Sequence, residues 1–178
     1  MARPPGGKVQ KPTFSQSNLR LEQTALRLIA LLIADKPLKY ACKKYALHNL
    51  LAVASEVESS EVIQMTVEVA TTYRLLHWNS KHHEETHPVG DLWPVASVDV
   101  TEPLSVLEAC NKIIHATYLS FWRRKVRSYP AEYLEPYVIV TGAKGKKTWE
   151  AQIHMLLFCN EVLAWHGNHL PNTLPTGK

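Results

Sequence analysis

The segment EACNKIIHA, Glu108 to Ala116, sets an amide and an imidazole four residues apart among apolar neighbours. On a helix that spacing projects Asn111 and His115 from one side, with Glu108 and Lys112 on adjoining turns. A neutral imidazole can give or take a proton near pH 7, and an amide beside it can hold the ring in one orientation. Asn111 and His115 are therefore the candidate catalytic pair. The competing reading is a core helix with a polar inset, in which Cys110 is a buried and inert thiol.

A second cluster, FWRRKVRSY, carries Arg123, Arg124, Lys125 and Arg127 among aromatic residues. Guanidinium groups grip phosphates and aromatic rings stack on bases, so these four cations are candidate RNA contacts. The plainer alternative is a helix end whose cations complement the dipole. Gly142 to Lys147 adds three lysines around a Gly-rich turn, without the eight-residue spacing of a phosphate-binding loop. The third cluster, HWNSKHHEETH, holds His77, His82, His83 and His87 with two glutamates. His83 and His87 fit the bare HExxH pattern of zinc proteases, but Pro88 closes any helix at once. We read the stretch as a solvated loop, with His83 and His87 as reserve metal candidates. No cofactor is expected.

The elements that would carry these residues follow from hydrophobic spacing. A helix is expected from Ser17 or Asn18, ended by Pro37, and a second over about 38–58. Ser59-Ser60-Glu61 reads as the start of a third, running to Trp78. A fourth follows Thr101, with Leu104, Leu107, Ile114 and Tyr118 on one stripe. The stretch at about 137–153 reads as a β-hairpin, and helical spacing returns from His154 to Trp165. The expected architecture is mainly α: a bundle of about five helices with one hairpin inserted before the last. Residues 1–16 are read as a disordered basic arm, 17–166 as a single domain and 167–178 as a flexible tail.

Composition narrows the functional classes. The chain has 178 residues, 46% hydrophobic and 20% charged, with a net charge of +4. Arg3, Lys8, Lys11 and Arg20 account for that excess, and the remaining Lys and Arg balance the sixteen Asp and Glu. A basic binding surface must therefore be local. Three widely spaced cysteines and no CxxC pair suit free thiols in a reducing compartment. The run from Ala25 to Ala34 is about half a membrane span, and Arg27 interrupts it. A cytoplasmic protein without a membrane partner is the expectation.

A helical layout with Asn111, three residues and then His115 resembles the HEPN superfamily of bacterial defence and toxin proteins. That resemblance implies metal-independent RNA cleavage by Arg and His brought together in a homodimer. Where the usual motif has Arg before the Asn, this chain has Cys110. The resemblance thus implies either a ribonuclease or a degenerate relative that binds RNA. The alternative is a non-catalytic interaction or dimerisation module.

Overall fold

The computed structural model describes residues 14–78, 87–94, 101–125 and 132–169. Its first helix, α1 (Phe14–Lys44), buries Leu21, Ala25, Leu28, Leu32, Asp35, Lys39 and Cys42. These positions alternate steps of four and three, the seven-residue rhythm that keeps one seam of a helix facing another. The partner is α2 (His48–Trp78), which turns Val62, Met65, Val69, Tyr73 and Leu76 into the same core. Arg20 pairs with Glu68 and Arg27 with Glu61 at the rim. Seven residues down one helix match seven up the other, so the two run antiparallel in one register.

The turn between them is a Schellman cap. Leu47 N–H donates to the Cys42 carbonyl at 2.7 Å and Ala46 N–H to that of Lys43 at 3.1 Å. This geometry needs a left-handed residue, and Ala46 takes it at φ 55° although glycine would do so without strain.

Five strands follow: β1 (Gly90–Pro94), β2 (Glu102–Leu104), β3 (Tyr118–Arg124), β4 (Tyr133–Lys144) and β5 (Lys147–His154). They form one antiparallel sheet in the order β2-β1-β5-β4-β3. Two more helices complete the layer, α3 (Val106–Ile114) after β2 and α4 (Met155–His169) after β5. Leu92, Leu119, Phe121, Val138, Val140, Ala151 and Ile153 join residues of all four helices in one core.

This corrects the expected mainly helical bundle: the chain is α+β, and the hairpin at 137–153 is the middle of a five-stranded sheet. Three misreadings explain the difference. Pro37 lies inside α1 on its exposed side, where the carbonyl it leaves unbonded can be hydrated. Ser59 to Glu61 lie within α2, so three expected helices are two. The fourth helix starts later and stops sooner than its apolar stripe suggested. Ser105 caps it, accepting from Glu108 N–H while Glu108 returns a carboxylate to Ser105 N–H. It ends at Ile114, because the next residues, rich in Tyr, Phe and Trp, prefer a pleated surface. Phe14 to Gln16, expected in the arm, belong to α1, and Gly167 to His169, expected in the tail, belong to α4. The rest of both termini lies outside the described residues.

Two glycines shape the hairpin. Gly145, at φ 64°, opens the two-residue turn between Lys144 and Lys147, as a type II′ turn requires. A Cβ on Gly142 would collide with the indole of its cross-strand partner Trp149, which lies over the bare backbone. Lys112 of α3 sits 4.4 Å above that ring and ties the helix to the sheet. Pro136, unable to donate a ladder bond, marks a bulge in which Trp122 alone stands opposite Glu135, Pro136 and Tyr137.

Asp35 joins the helical layer to β4. Its carboxylate lies 2.6 Å from Lys39 Nζ and accepts the Leu134 N–H at 2.5 Å, with both charged residues 1% exposed. Breaking a buried pair strands one charge, so Asp35→Ala or Lys39→Met should cost about 3–5 kcal/mol in urea unfolding. The Asp35→Leu/Lys39→Met double variant should lose less than the sum, since no charge is left unpaired. Additive losses would show that the two side chains do not interact. Ala46→Gly should instead stabilise the protein by about 1 kcal/mol, read as a higher urea midpoint at unchanged slope.

Candidate functional site

Because strand side chains alternate, the residues between the core positions point to the other face of the sheet. They are Asp91 and Trp93 on β1, Tyr118 and Ser120 on β3, Tyr137, Ile139 and Thr141 on β4, and Glu150, Gln152 and His154 on β5. None of them belongs to the buried core. Tyr118 is 61% exposed and Trp122, at the bulge, 47%. Large aromatic residues so open to water on a sheet face make poor structural filler.

Three rings form a row across β3, β4 and β5. Trp122 lies 6.0 Å from Tyr137, and Tyr137 meets His154 edge-on at 4.7 Å. The regular pairing that runs from Tyr118 with Thr141 to Phe121 with Val138 sets Trp122 level with Tyr137, next to the bulge at Pro136. His154 is held from two sides, for it is the last residue of β5 and directly precedes α4. Its N–H donates to the Val89 carbonyl at 2.8 Å, and its Nδ1 accepts the Leu157 N–H at 3.3 Å, capping the helix. With Nδ1 an acceptor, the neutral ring carries its proton on Nε2.

Beside His154 the face deepens into a groove of about 390 Å³, lined by Pro88, Asp91, Tyr137, Gln152, His154 and Leu157. Asp91 is registered opposite Gln152, one diagonal step from His154. The groove thus offers a carboxylate, an amide, a phenol and an imidazole over an apolar rim, the mixture that orients a small planar polar group.

Charge divides the face. Asp91 and Glu150 lie on its β1–β5 half. The cations stand toward the ends of the sheet: Lys144, Lys146 and Lys147 are exposed at the tip joining β4 to β5, and Arg123, Arg124 and Lys125 at the far end of β3. Arg124 donates to Glu135 at 3.2 Å, which partly offsets its charge.

The expected catalytic pair is not assembled with the arginines. Asn111 is half-buried, its Oδ1 enclosed without a hydrogen-bond partner among the described residues. His115 is exposed at the C-cap of α3, and no hydrogen bond joins the two side chains; only the His115 N–H reaches the Asn111 carbonyl, at 3.1 Å. Arg123 lies roughly 16 Å of strand beyond Tyr118, so its own chain does not bring it to His115. Burial drives the Cys110 thiol far above its ordinary range, although Arg74 on α2 opposes the shift, and pushes Cys159 up to about 12. Both are inert as nucleophiles at neutral pH.

Of the metal candidates, His83 lies outside the described residues, as does Arg127 of the basic cluster. His87 is exposed before Pro88. His77 is buried on α2 against Tyr73 and Trp165, at 5.6 and 5.8 Å. No metal-holding group of three ligands occurs among the described residues. None of their helices is long and apolar enough to cross a membrane.

Sequence reasoning missed Tyr118, Trp122, Tyr137 and His154 as one surface. The signal was alternation: Tyr118, Ser120 and Trp122 take one side, Leu119 and Phe121 the other. Comparison with protein-family models, curated proteins and solved structures finds no match for this chain.

His154→Ala should remove the cap of α4 and cost about 1 kcal/mol in thermal or urea unfolding, whereas His154→Asn should restore most of it. Equal stability of the alanine variant would mean that the Leu157 N–H bond contributes nothing.

Proposed function

We propose that this domain binds single-stranded RNA on the open face of its sheet. The observation that carries the proposal is the row Trp122, Tyr137 and His154, with Trp122 exposed and the other two half-buried, set between exposed cations at the β4–β5 turn and at the far end of β3. Unstacked bases lie on aromatic rings of a sheet whose other face is packed, and their phosphates follow the neighbouring cations. Asp91 and Glu150 repel a polyanion from the β1–β5 half, so the strand would run from the hairpin lysines past Tyr118 to Trp122 and Arg123.

The reading is of binding without cleavage, since His115 lies apart from the arginines and off the aromatic row. Direct binding of a fluorescently labelled oligonucleotide, followed by anisotropy, tests it. Trp122→Ala and Tyr137→Ala should each weaken binding by about 1–3 kcal/mol. Neutralising Lys144, Lys146 and Lys147 should flatten the dependence on salt, and Asp91→Asn with Glu150→Gln should tighten binding. Loss of affinity only when the lysines change, with Trp122 and Tyr137 indifferent, would reduce the interaction to nonspecific charge and reject the aromatic face.

A further inference from the structure

The two long helices meet in a basic and apolar tip that neither the core nor the open sheet employs. Among the described residues, the hydrophobic core stops at Leu32 on α1 and resumes at Val62 on α2. Asp35 and Lys36 still reach β4, through the Leu134 N–H and the Tyr133 ring. Beyond them only Lys39 and Cys42 are buried as far as Leu50, and Lys43 to Leu50 are exposed without a break. The pairs Arg20–Glu68 and Arg27–Glu61 set a register that puts Lys36 level with Ala52, so residues 36–52 form the end of the helical pair. That end holds four lysines and a histidine, and no aspartate or glutamate. Its exposed apolar residues include Leu38 at 39%, Tyr45 at 64%, Leu47 at 44% and Leu50 at 48%. Lys43 and Lys44 by themselves are accounted for by the C-terminus of α1, whose dipole they complement. The leucines and the tyrosine clustered among them are not.

We infer that this tip docks on an anionic bilayer surface, with Tyr45, Leu47 and Leu50 entering the headgroup layer and Lys43 and Lys44 held at the phosphates. Charge, shape and side-chain type together choose that partner. Lysines without a carboxylate among them are attracted to acidic lipids. The turn between two helices is convex, and a fluid interface closes around a projection that offers a peptide no groove. Leucine has no π face on which a base stacks, so Leu47 and Leu50 have no use on RNA. Tyrosine settles at headgroup level, and lysine lays its stem along apolar surface while its ammonium stays in water. Lys44 already extends over Tyr45, 5.4 Å from the ring centre. From Lys36 to Lys44 α1 rises about 12 Å, enough for an immersion of roughly 5–10 Å. The contact is with a surface, so it asks for no spanning helix. It also leaves the sheet free, because α1 meets β4 at Leu134, the opposite end of that strand from Lys144.

Flotation of the full chain with phosphatidylcholine vesicles should recover it only when phosphatidylserine is included, and added salt should weaken the association. Lys43→Gln with Lys44→Gln should lower the partition coefficient by about thirtyfold. Leu47→Ser with Leu50→Ser should also release the protein, with far-UV circular dichroism unchanged because both positions are exposed. Entry into the headgroup layer is read by an environment-sensitive fluorophore on Leu47→Cys, since Cys42, Cys110 and Cys159 are all buried and silent. Its emission should shift to the blue on phosphatidylserine vesicles, and the same label on Thr148→Cys should not shift. Full binding by the leucine variant, or an unshifted label at Leu47→Cys, would overturn insertion of the tip. A wild-type protein that ignores phosphatidylserine vesicles would overturn the membrane reading altogether. Loss of oligonucleotide affinity in the Lys43→Gln/Lys44→Gln variant of such a protein would give the tip to RNA instead. Binding of RNA by the sheet is measured separately and does not depend on the result.

Discussion

Asp35 is the residue through which the helical layer and the sheet hold each other. A carboxylate in an apolar seam is expensive to bury, and it is tolerated here only because its oxygens meet Lys39 Nζ and the Leu134 N–H together. Both conditions constrain geometry. Lys39 must be one helical turn along α1, and Leu134 must enter β4 at one particular height. A slip of α1 by one heptad would put Leu28 or Cys42 where the carboxylate is, and leave Leu134 N–H buried without an acceptor. The pair therefore selects one register of helix on sheet. An apolar pair would pack as well and select less strictly.

That register reaches the aromatic row through β4. Leu134 is anchored, Pro136 cannot donate, and the strand absorbs the mismatch as a bulge before Tyr137. Past the bulge the regular ladder resumes at Val138 and Phe121, and its register stands Trp122 beside Tyr137. From Tyr137 the row passes to His154, whose ring is pinned by the first turn of α4. The outer face is thus set by contacts on the inner one. Its own side chains are not called on to hold the sheet together, which leaves Tyr118 and Trp122 open to solvent without loss to the core. The exposed basic end of β3 has a second physical role, because charges on an edge strand discourage pairing with another sheet.

Sequence reading recovered the local features and lost the assembly. The hairpin was legible because its signals are short-range: alternation on each side of a Gly-Lys turn. Buried free thiols at Cys110 and Cys159 were legible from their apolar helical setting. The helix boundaries were not, and the reason differs at each. Pro37 is a breaker only if its carbonyl partner is denied water, and exposure cannot be seen in one dimension. Ser105 and Glu108 did spell a capping box, yet a longer apolar stripe from Leu104 to Tyr118 competed with it. That stripe joined residues of a helix to residues of a strand. The same error ran the helix on past Asn111 and His115 toward Arg123 and Arg124. Once the chain leaves the helix at His115, each residue advances it by about 3.3 Å instead of 1.5 Å, and the arginines move to the far end of β3.

The Asn111–His115 spacing itself has a structural account. Val106, Ala109, Cys110 and Ile113 make the buried stripe of α3, and Glu108 is committed to the cap. Lys112 is committed to Trp149. Ile114 packs against the core and Leu107 is half-buried, which leaves for polar residues one position beside the core and one at the helix end. A half-buried amide and an exposed imidazole suit those places, and the helix ends before the imidazole can be used with the amide. The polar inset is therefore a consequence of where α3 must stop, and where it must stop is decided by the aromatic strand that follows. Chemistry-bearing residues on this chain are to be sought where the backbone leaves side chains unemployed by the core, and the sheet face that β3 completes is such a surface.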